Sequence, residues 1–302
     1  MFTSGEVVAG FTIDAVVGHG SSADVYRVHR DDEATPLALK VLRTDLHGLE
    51  HARERFEHEF AIASLLHHPN IVAMDSSGEV ALGDHGHPRH TALWLAMQYV
   101  AGPSAIYLIP RYDQQPQVSA VLRVAHQIGA ALDYAHSKDV LHRDVKPANI
   151  LLTTTDDTTD ALLTDFGIAR FLDDTRPLAR NGRVQGSVAY AAPELLQAQQ
   201  LSPATDVYAF ACSLIELFTG LPPYPRTTPF AITYAHIRDE PPKLTSRREW
   251  LPSSLNSVFA KALAKNPADR YQTCGEFVEI ISRSLRDVPV PVGPTRRRGW
   301  LR

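Results

Sequence analysis

The sequence predicts an α+β fold split between a strand-rich first part and a helix-rich second part. Three observations carry that expectation. Before Ala101 the apolar residues sit in short runs and alternations, after it they recur every three to four residues, and the two patterns do not interleave as βαβ units would. The border falls near Ala101-Gly102.

Phe11 to Gly18 reads as an apolar-rich strand ending at glycine, Ala23 to His29 as its returning partner and Leu37 to Leu42 as a third strand. From Leu49 to Leu66 the pattern turns helical, with Phe56, Phe60, Ala63 and Leu66 on one face. His68-Pro69 ends that helix, because proline disfavours helical geometry in the residue before it. Ile71 to Met74 and Ala92 to Val100 are expected as two further strands, separated by a polar loop from Asp75 to His90. In the second part, Val118 to Ser137 is an amphipathic helix with Val121, Ala125, Ile128, Leu132 and Ala135 inward. Ile150 to Leu152 and Ala161 to Leu163 flank a Thr/Asp hairpin tip, Thr153 to Asp160. Helices follow at Asp206 to Thr219, Phe230 to Arg238, Ser254 to Lys265 and Cys274 to Arg286. The tail from Val288 carries Pro289, Pro291 and Pro294, then Thr295 to Arg302 with four arginines and Trp300, and has nothing to build a core.

Composition narrows the function. In 302 residues, 44% are apolar, which is ordinary for a globular chain. The 30 Lys+Arg against 34 Asp+Glu leave a net charge of −4, which argues against a nucleic-acid binder. The longest apolar stretch, Val207 to Leu221, is interrupted by Glu216 and is too short to span a bilayer; Met1 to Gly10 lacks the features of a secretory signal. Cys212 and Cys274 lie in helical patterns without metal-ligand spacing, as structural thiols of a reducing compartment do.

Three motifs carry chemistry. Gly18-His19-Gly20-Ser21-Ser22-Ala23-Asp24-Val25 joins two strands; such a loop is either a plain hairpin or a phosphate cradle of bare N–H groups. Lys40, in Ala38-Leu39-Lys40-Val41, is a cation in an apolar strand that either snorkels at an edge or meets an anion; Glu59, Glu54 and Glu57 on the next helix are rival partners. His142-Arg143-Asp144-Val145-Lys146-Pro147-Ala148-Asn149 followed by Asp165-Phe166-Gly167 is far more specific. Two oxygen donors there can hold a hard cation, while a neighbouring carboxylate accepts a proton from a hydroxyl.

With Ala192-Pro193-Glu194, these motifs resemble the Hanks-type Ser/Thr protein kinases, and most of all the receptor-like kinases of actinobacteria. The likeness runs from about Phe11 to Leu285, with all five signature elements in family order. It implies a two-lobed protein kinase fold, with a small lobe of five antiparallel strands and one helix and a larger, mainly helical lobe. The domain is expected over 1–287, the N-lobe to about 100 and the C-lobe over about 101–287, with 288–302 as a tail. It also implies transfer of the γ-phosphoryl group of ATP, with Mg2+ or Mn2+, to protein Ser/Thr hydroxyls.

The resemblance further implies a role for each matching residue. Val17, Gly18, His19, Gly20 and Ser21 cover the phosphates, and Lys40 contacts them and pairs with Glu59. Val25, Ala38 and Leu151 sandwich the adenine; Met97 is the gatekeeper, and Gln98 to Val100 form the hinge. Asp144 accepts the hydroxyl proton, Lys146 steadies the transferring group, and Asn149 and Asp165 hold the metal. Glu194 is implied to pair with Arg270, and Asp206 to brace the catalytic loop. A pseudokinase, binding nucleotide as a scaffold or switch, is the alternative, although Lys40, Asp144, Asn149 and Asp165 are all retained.

Two departures from the family stand out. The third glycine of the loop is Ala23. Arg176 to Gly186 contains no Ser or Thr, and Ala179 and Asn181 occupy the usual phosphothreonine positions. Arg143 therefore lacks its expected phosphate partner, leaving Thr164, Thr175, Ser187 and Tyr190 as hydroxyls of the segment. Control other than by double phosphorylation is expected. The chain is expected to be cytoplasmic, and because the basic, Trp-bearing tail resembles the cytoplasmic flank of a membrane helix, it reads as the intracellular part of a single-pass kinase attached through a segment beyond Arg302, with a soluble kinase bearing a basic end as the alternative. Protein substrates are implied as partners; a homodimer through the N-lobe stays open. His85, His87 and His90 read as a solvated loop rather than a metal site.

Overall fold

The computed structural model describes residues 2–20, 23–31, 33–42, 50–82, 90–155, 158–166 and 186–291. They form two compact units that part between Ala101 and Gly102.

The first unit is an antiparallel sheet of six strands in the order β1-β2-β3-β4-β6-β5: β1 (Val7–Val8), β2 (Phe11–His19), β3 (Ala23–Arg30), β4 (Glu33–Leu42), β5 (Met74–Leu82) and β6 (His90–Gln98). The sixth strand beyond the five expected is β1, too short for an alternation to be read. It pairs Val7 with Thr12 and Val8 with Phe11. Ala9 and Gly10, both at positive φ (52° and 84°), form the turn, as the favoured two-residue hairpin requires.

β5 corrects a second expectation. The strand is not Ile71 to Met74, and much of the presumed loop from Asp75 is ladder, running to Leu82. Its polarity misleads because β5 is an edge strand that pairs only with β6. Ile71 and Val72 are buried in the approach to it instead. Gly78 fits the strand because the Trp94 ring lies against its backbone: a Cβ there would stand 2.7 Å from the ring. Helix α1 (Glu50–Ser64) precedes β5 and buries Phe56 and Ala63.

Cross-strand register divides the sheet into two faces, since residues directly opposite one another share a side. Leu37, Leu39 and Val41 of β4 join Tyr26, Val28, Trp94 and Ala96 in a core cluster with Phe11 and Ile13. Ala38 and Lys40 therefore point to the other face. There Lys40 stands opposite Val25 and Leu95, and Ala38 opposite Met97.

The second unit is built on α2 (Val118–His136), α3 (Pro193–Leu196), α4 (Pro203–Thr219), α5 (Pro229–Arg238), α6 (Ser254–Ala262) and α7 (Cys274–Leu285), with a hairpin of β7 (Ile150–Thr155) and β8 (Thr158–Leu163). α4 is apolar nearly all round and is the buried centre of the unit. Ser202 and Thr205 form its capping box, Pro203 starts it and Gly220 ends it at φ 86°. Only glycine serves at 220, because a Cβ would lie 2.5 Å from the Pro110 carbonyl oxygen. The hairpin is pinned to α2 by Gln127, whose amide donates to Asp160 (2.7 Å) and accepts from the Ala161 N–H (2.8 Å). No helix among the described residues is long and apolar enough to cross a membrane. Both cysteines are buried and unbridged.

Candidate active site

In the first unit, the β2–β3 ladder carries the glycine loop. Gly18 pairs with Val25 and His19 with Asp24, and the His19 imidazole meets the Asp24 carboxylate at 2.8 Å. The Gly20 N–H donates to the Ala23 carbonyl at 2.8 Å, and a Cβ at Gly20 would crowd that oxygen at 3.1 Å. A Cβ at Gly18 would meet nothing within 4 Å, so the backbone there is open to an approaching group. Val17 is exposed. Ser21 lies outside the described residues.

Val25, Ala38, Lys40 and Met97 thus share one face by register. Gln98 closes the β6 ladder, its N–H donating to the Ala73 carbonyl (2.8 Å), and Val100 lies past that end. Of the helix glutamates, Glu57 pairs with Arg53 at 3.2 Å on the exposed side, and Glu54 is exposed. Glu59 is on α1, but its side chain lies outside the described residues.

In the second unit, the loop from His142 to Asn149 is fixed from beneath by a buried carboxylate. Asp206, on α4, accepts the backbone N–H groups of His142 (2.8 Å) and Arg143 (2.7 Å) and the His136 ring (2.8 Å). Burial alone would raise this carboxyl. The His136 hydrogen bond and charge, with the His142 N–H, outweigh burial and hold it below the ordinary carboxylate range. The same grip holds Arg143 at φ 68°, a left-handed conformation that costs about 1–2 kcal/mol in an L-residue.

The His142 ring has one neutral tautomer available. Its Nδ1 accepts from the Asp144 N–H (3.2 Å), so Nε2 carries the proton and donates to the Thr164 carbonyl (2.8 Å). The ring also packs on Phe166, centroids 4.6 Å apart. One imidazole therefore joins the His142–Asn149 loop to the end of β8.

Asp144 and Lys146 are adjacent, Lys146 Nζ lying 2.5 Å from Asp144 Oδ2. Asn149 Nδ2 donates to the same Oδ2 (3.0 Å) and to the Asp144 carbonyl (2.9 Å). Both side-chain donors fall on Oδ2. Because the Asn149 amide turns its nitrogen to Asp144, its carbonyl oxygen faces away. The Thr164 N–H donates to the Asn149 backbone carbonyl (2.9 Å) directly beyond the Ile150–Leu163 pair, so Asn149 and Asp165 leave neighbouring strand ends. Asp165 sits at φ 67°, which aims it differently from the strand before it. Two hard oxygen donors from adjacent backbone positions suit a divalent cation such as Mg2+.

Leu151 is placed by Gly102. A Cβ on Gly102 would lie 1.9 Å from the Leu152 carbonyl oxygen, so glycine alone lets the chain pass, and the Leu152 N–H then donates to Pro103 (2.8 Å). Leu152 is buried, and Leu151 alternates to the opposite side of β7.

The structure adds His136, Ser213, Glu216 and Asp133, which the motifs did not flag, and it forms the Glu194–Arg270 pair that the resemblance implied. His136, Thr164 and Ser213 (3.2 Å from the Val145 carbonyl) support the loop. Tyr190 hydrogen-bonds Glu216 and feels the Asp144 charge. The Glu194–Arg270 ion pair is bidentate at 2.7 and 2.8 Å and fully buried. Asp133, His136 and Cys274 bring donor atoms within 4.8 Å of one another. Asp133 there caps α7, accepting the Cys274 and Gly275 N–H groups at 2.7 and 2.8 Å, and His136 serves Asp206, so the cluster is structural. Residues 167–185, with Thr175, Ala179, Asn181, Arg176, Arg180 and Arg183, lie outside the described residues, as do 83–89 and the tail from 292. The Ser187 side chain does too. Thr164 is buried, unsuited to modification in the folded state.

Comparison with known proteins agrees with this geometry. The model of the protein kinase domain family matches residues 11–280. Serine/threonine-protein kinase PknF of Mycobacterium tuberculosis is 36% identical over 99% of this chain and 63% of its own length. Serine/threonine-protein kinase PknB of Mycobacterium leprae is 34% identical over 88% of this chain and 42% of its own. The chain thus spans less than two thirds of these relatives. Among solved structures, the kinase domain of Mycobacterium tuberculosis PknI matches with a TM-score of 0.73 and 32% identity, covering 95% of this chain and 100% of that one.

Proposed function

Since the chain belongs to the protein kinase domain family, we propose that it transfers the γ-phosphoryl group of ATP to Ser/Thr hydroxyls of proteins. The observation that carries this reading is the constellation of Asp144, Lys146 and Asn149, all bonded around one carboxylate.

In this reading Asp144 Oδ1 orients the acceptor hydroxyl and takes its proton late in the transfer. Lys146 and Asn149 hold the carboxylate in place through Oδ2, and Lys146 steadies the transferring group. Mg2+, held by Asn149 and Asp165, would neutralise charge on the phosphate oxygens. Lys40 binds the phosphates, the N–H groups from Gly18 to Ser21 cover them, and Val25, Ala38, Met97 and Leu151 line the adenine, with Gln98 and Val100 at its edge. Most of the catalysis is electrostatic, because the groups are set before charge develops.

Control without paired phosphothreonines belongs to the proposal. So do a cytoplasmic location, attachment through a membrane segment beyond Arg302 and a homodimer through the first unit. Incubation with labelled ATP, Mg2+ or Mn2+ and a Ser/Thr peptide library tests the reaction. Label on acceptor hydroxyls supports it; a melting shift with Mg-ATP but no transfer would replace it with a nucleotide-binding scaffold. Loss of all activity in Thr175→Ala would refute the regulatory part.

A further inference from the structure

The turn Gly186–Tyr190 and the loop of Asp144 hang on the same stretch of α4: Tyr190 bonds Glu216, and Ser213, three residues before it, donates its hydroxyl to the Val145 carbonyl at 3.2 Å. Because one helix carries both, a shift of the turn bears on what reaches Asp144. Three side chains hold the turn and the residues just after it. Tyr190 bonds Glu216 of α4, and Glu194, four residues on, is locked to Arg270. The third is His236, on α5, whose Nε2 lies 3.1 Å from the Ala189 carbonyl.

That contact has a defined chemistry. A carbonyl only accepts, so Nε2 carries the proton and Nδ1 is left to accept from the Tyr208 hydroxyl at 2.9 Å. The ring is fully buried and packs edge-on to Tyr224 at 4.9 Å. Its backbone is clamped as well, since Lys265 Nζ caps the end of α5 on the His236 carbonyl at 2.8 Å. Burial and the Lys265 charge lower the His236 pKa to about 4, so the ring is neutral at physiological pH and acts by direction rather than by charge. Tyr208 in turn lies under the Arg270 guanidinium, 4.8 Å from its ring centroid, so this bond and the Glu194 anchor form one continuous support.

We propose that His236 is a positioning residue for the protein acceptor: its Nε2–H holds the Ala189 carbonyl and so fixes the turn that presents the acceptor hydroxyl to Asp144. The proposal rests on Asp144 being the group that receives that hydroxyl. It requires a separation of effects, because ATP and its phosphates do not depend on this bond.

The test compares wild type, His236→Ala and His236→Gln, the last of which can place an amide N–H near the lost Nε2. Transfer from Mg-ATP to a Ser/Thr peptide library is measured with the KM for ATP, melting temperature and hydrogen exchange of the 186–190 amides. His236→Ala should lower kcat/KM for the peptide about 10- to 100-fold. The KM for ATP should stay within about two-fold, and exchange at 186–190 should rise. His236→Gln should recover most of both losses. Equal loss toward peptide and ATP, unchanged exchange, or no recovery in a folded His236→Gln would overturn it. If wild type transfers nothing, the kinase reading fails instead, and exchange still reports whether the tether exists.

Discussion

The carboxylate of Asp206 accepts the backbone N–H of Arg143 at 2.7 Å from a residue 63 positions away in the chain. With its bond to His142, this contact turns a loop into a platform: a strained residue at 143 stays in place because the neighbouring amides have no better acceptor.

Asp206→Ala removes that acceptor and leaves two buried N–H groups and His136 without a partner. The expected loss is about 3–5 kcal/mol of stability, read by urea denaturation, with phosphotransfer reduced more steeply than melting alone explains. Asp206→Asn, which keeps one acceptor oxygen, should fall between.

Asp144→Asn and Lys40→Met are expected to act on chemistry rather than on fold. Each should cut labelled transfer by at least about 100-fold while the melting temperature stays within a few degrees. Near wild-type transfer in either variant would remove that residue from the mechanism.

The Glu194–Arg270 pair is buried on both sides, so removing one partner strands a charge. Arg270→Met alone should cost about 3–5 kcal/mol, and Glu194→Gln combined with Arg270→Met should recover part of the loss. A double-mutant cycle with no coupling would show that the surrounding carbonyls, not Glu194, satisfy the guanidinium.

Acid should weaken the fold in two stages. His236 is lowered from 6.5 to about 4 among Tyr208, Tyr224 and Lys265, so the unfolded chain binds more protons between those values and stability falls as pH drops through that window. The contribution is up to about 3 kcal/mol. Glu194 and Asp206 are both held below the usual carboxylate range, so their contribution is intact above about pH 4 and is lost as pH falls further, through their lowered values. Urea titrations from pH 7 to 2 should show both slopes, and His236→Gln should flatten only the first.

Much of the site was legible because its signals are local. Asp144 and Asn149 lie five apart on one loop, and Asp165 follows a short hairpin, so chain connectivity alone brings them near. The inward face of α2 was readable for the same reason, since helical periodicity repeats within a few residues. The exceptions in the sheet are instructive. The polarity of β5 concealed an edge strand, and the two residues of β1 were too few to show any period.

By itself, then, the sequence pointed to the residues proposed to carry the chemistry and determined which faces of α1 and α2 turn inward. Tertiary packing decided what holds them: Asp133 on an amide 141 residues away, His236 on Ala189, and Asp206 under His142 and Arg143, which the family resemblance alone anticipated. The reason is that a buried hydrogen bond has no local pattern. Any of 34 acidic side chains could accept an amide proton, and only the folding that excludes water from one of them makes that choice.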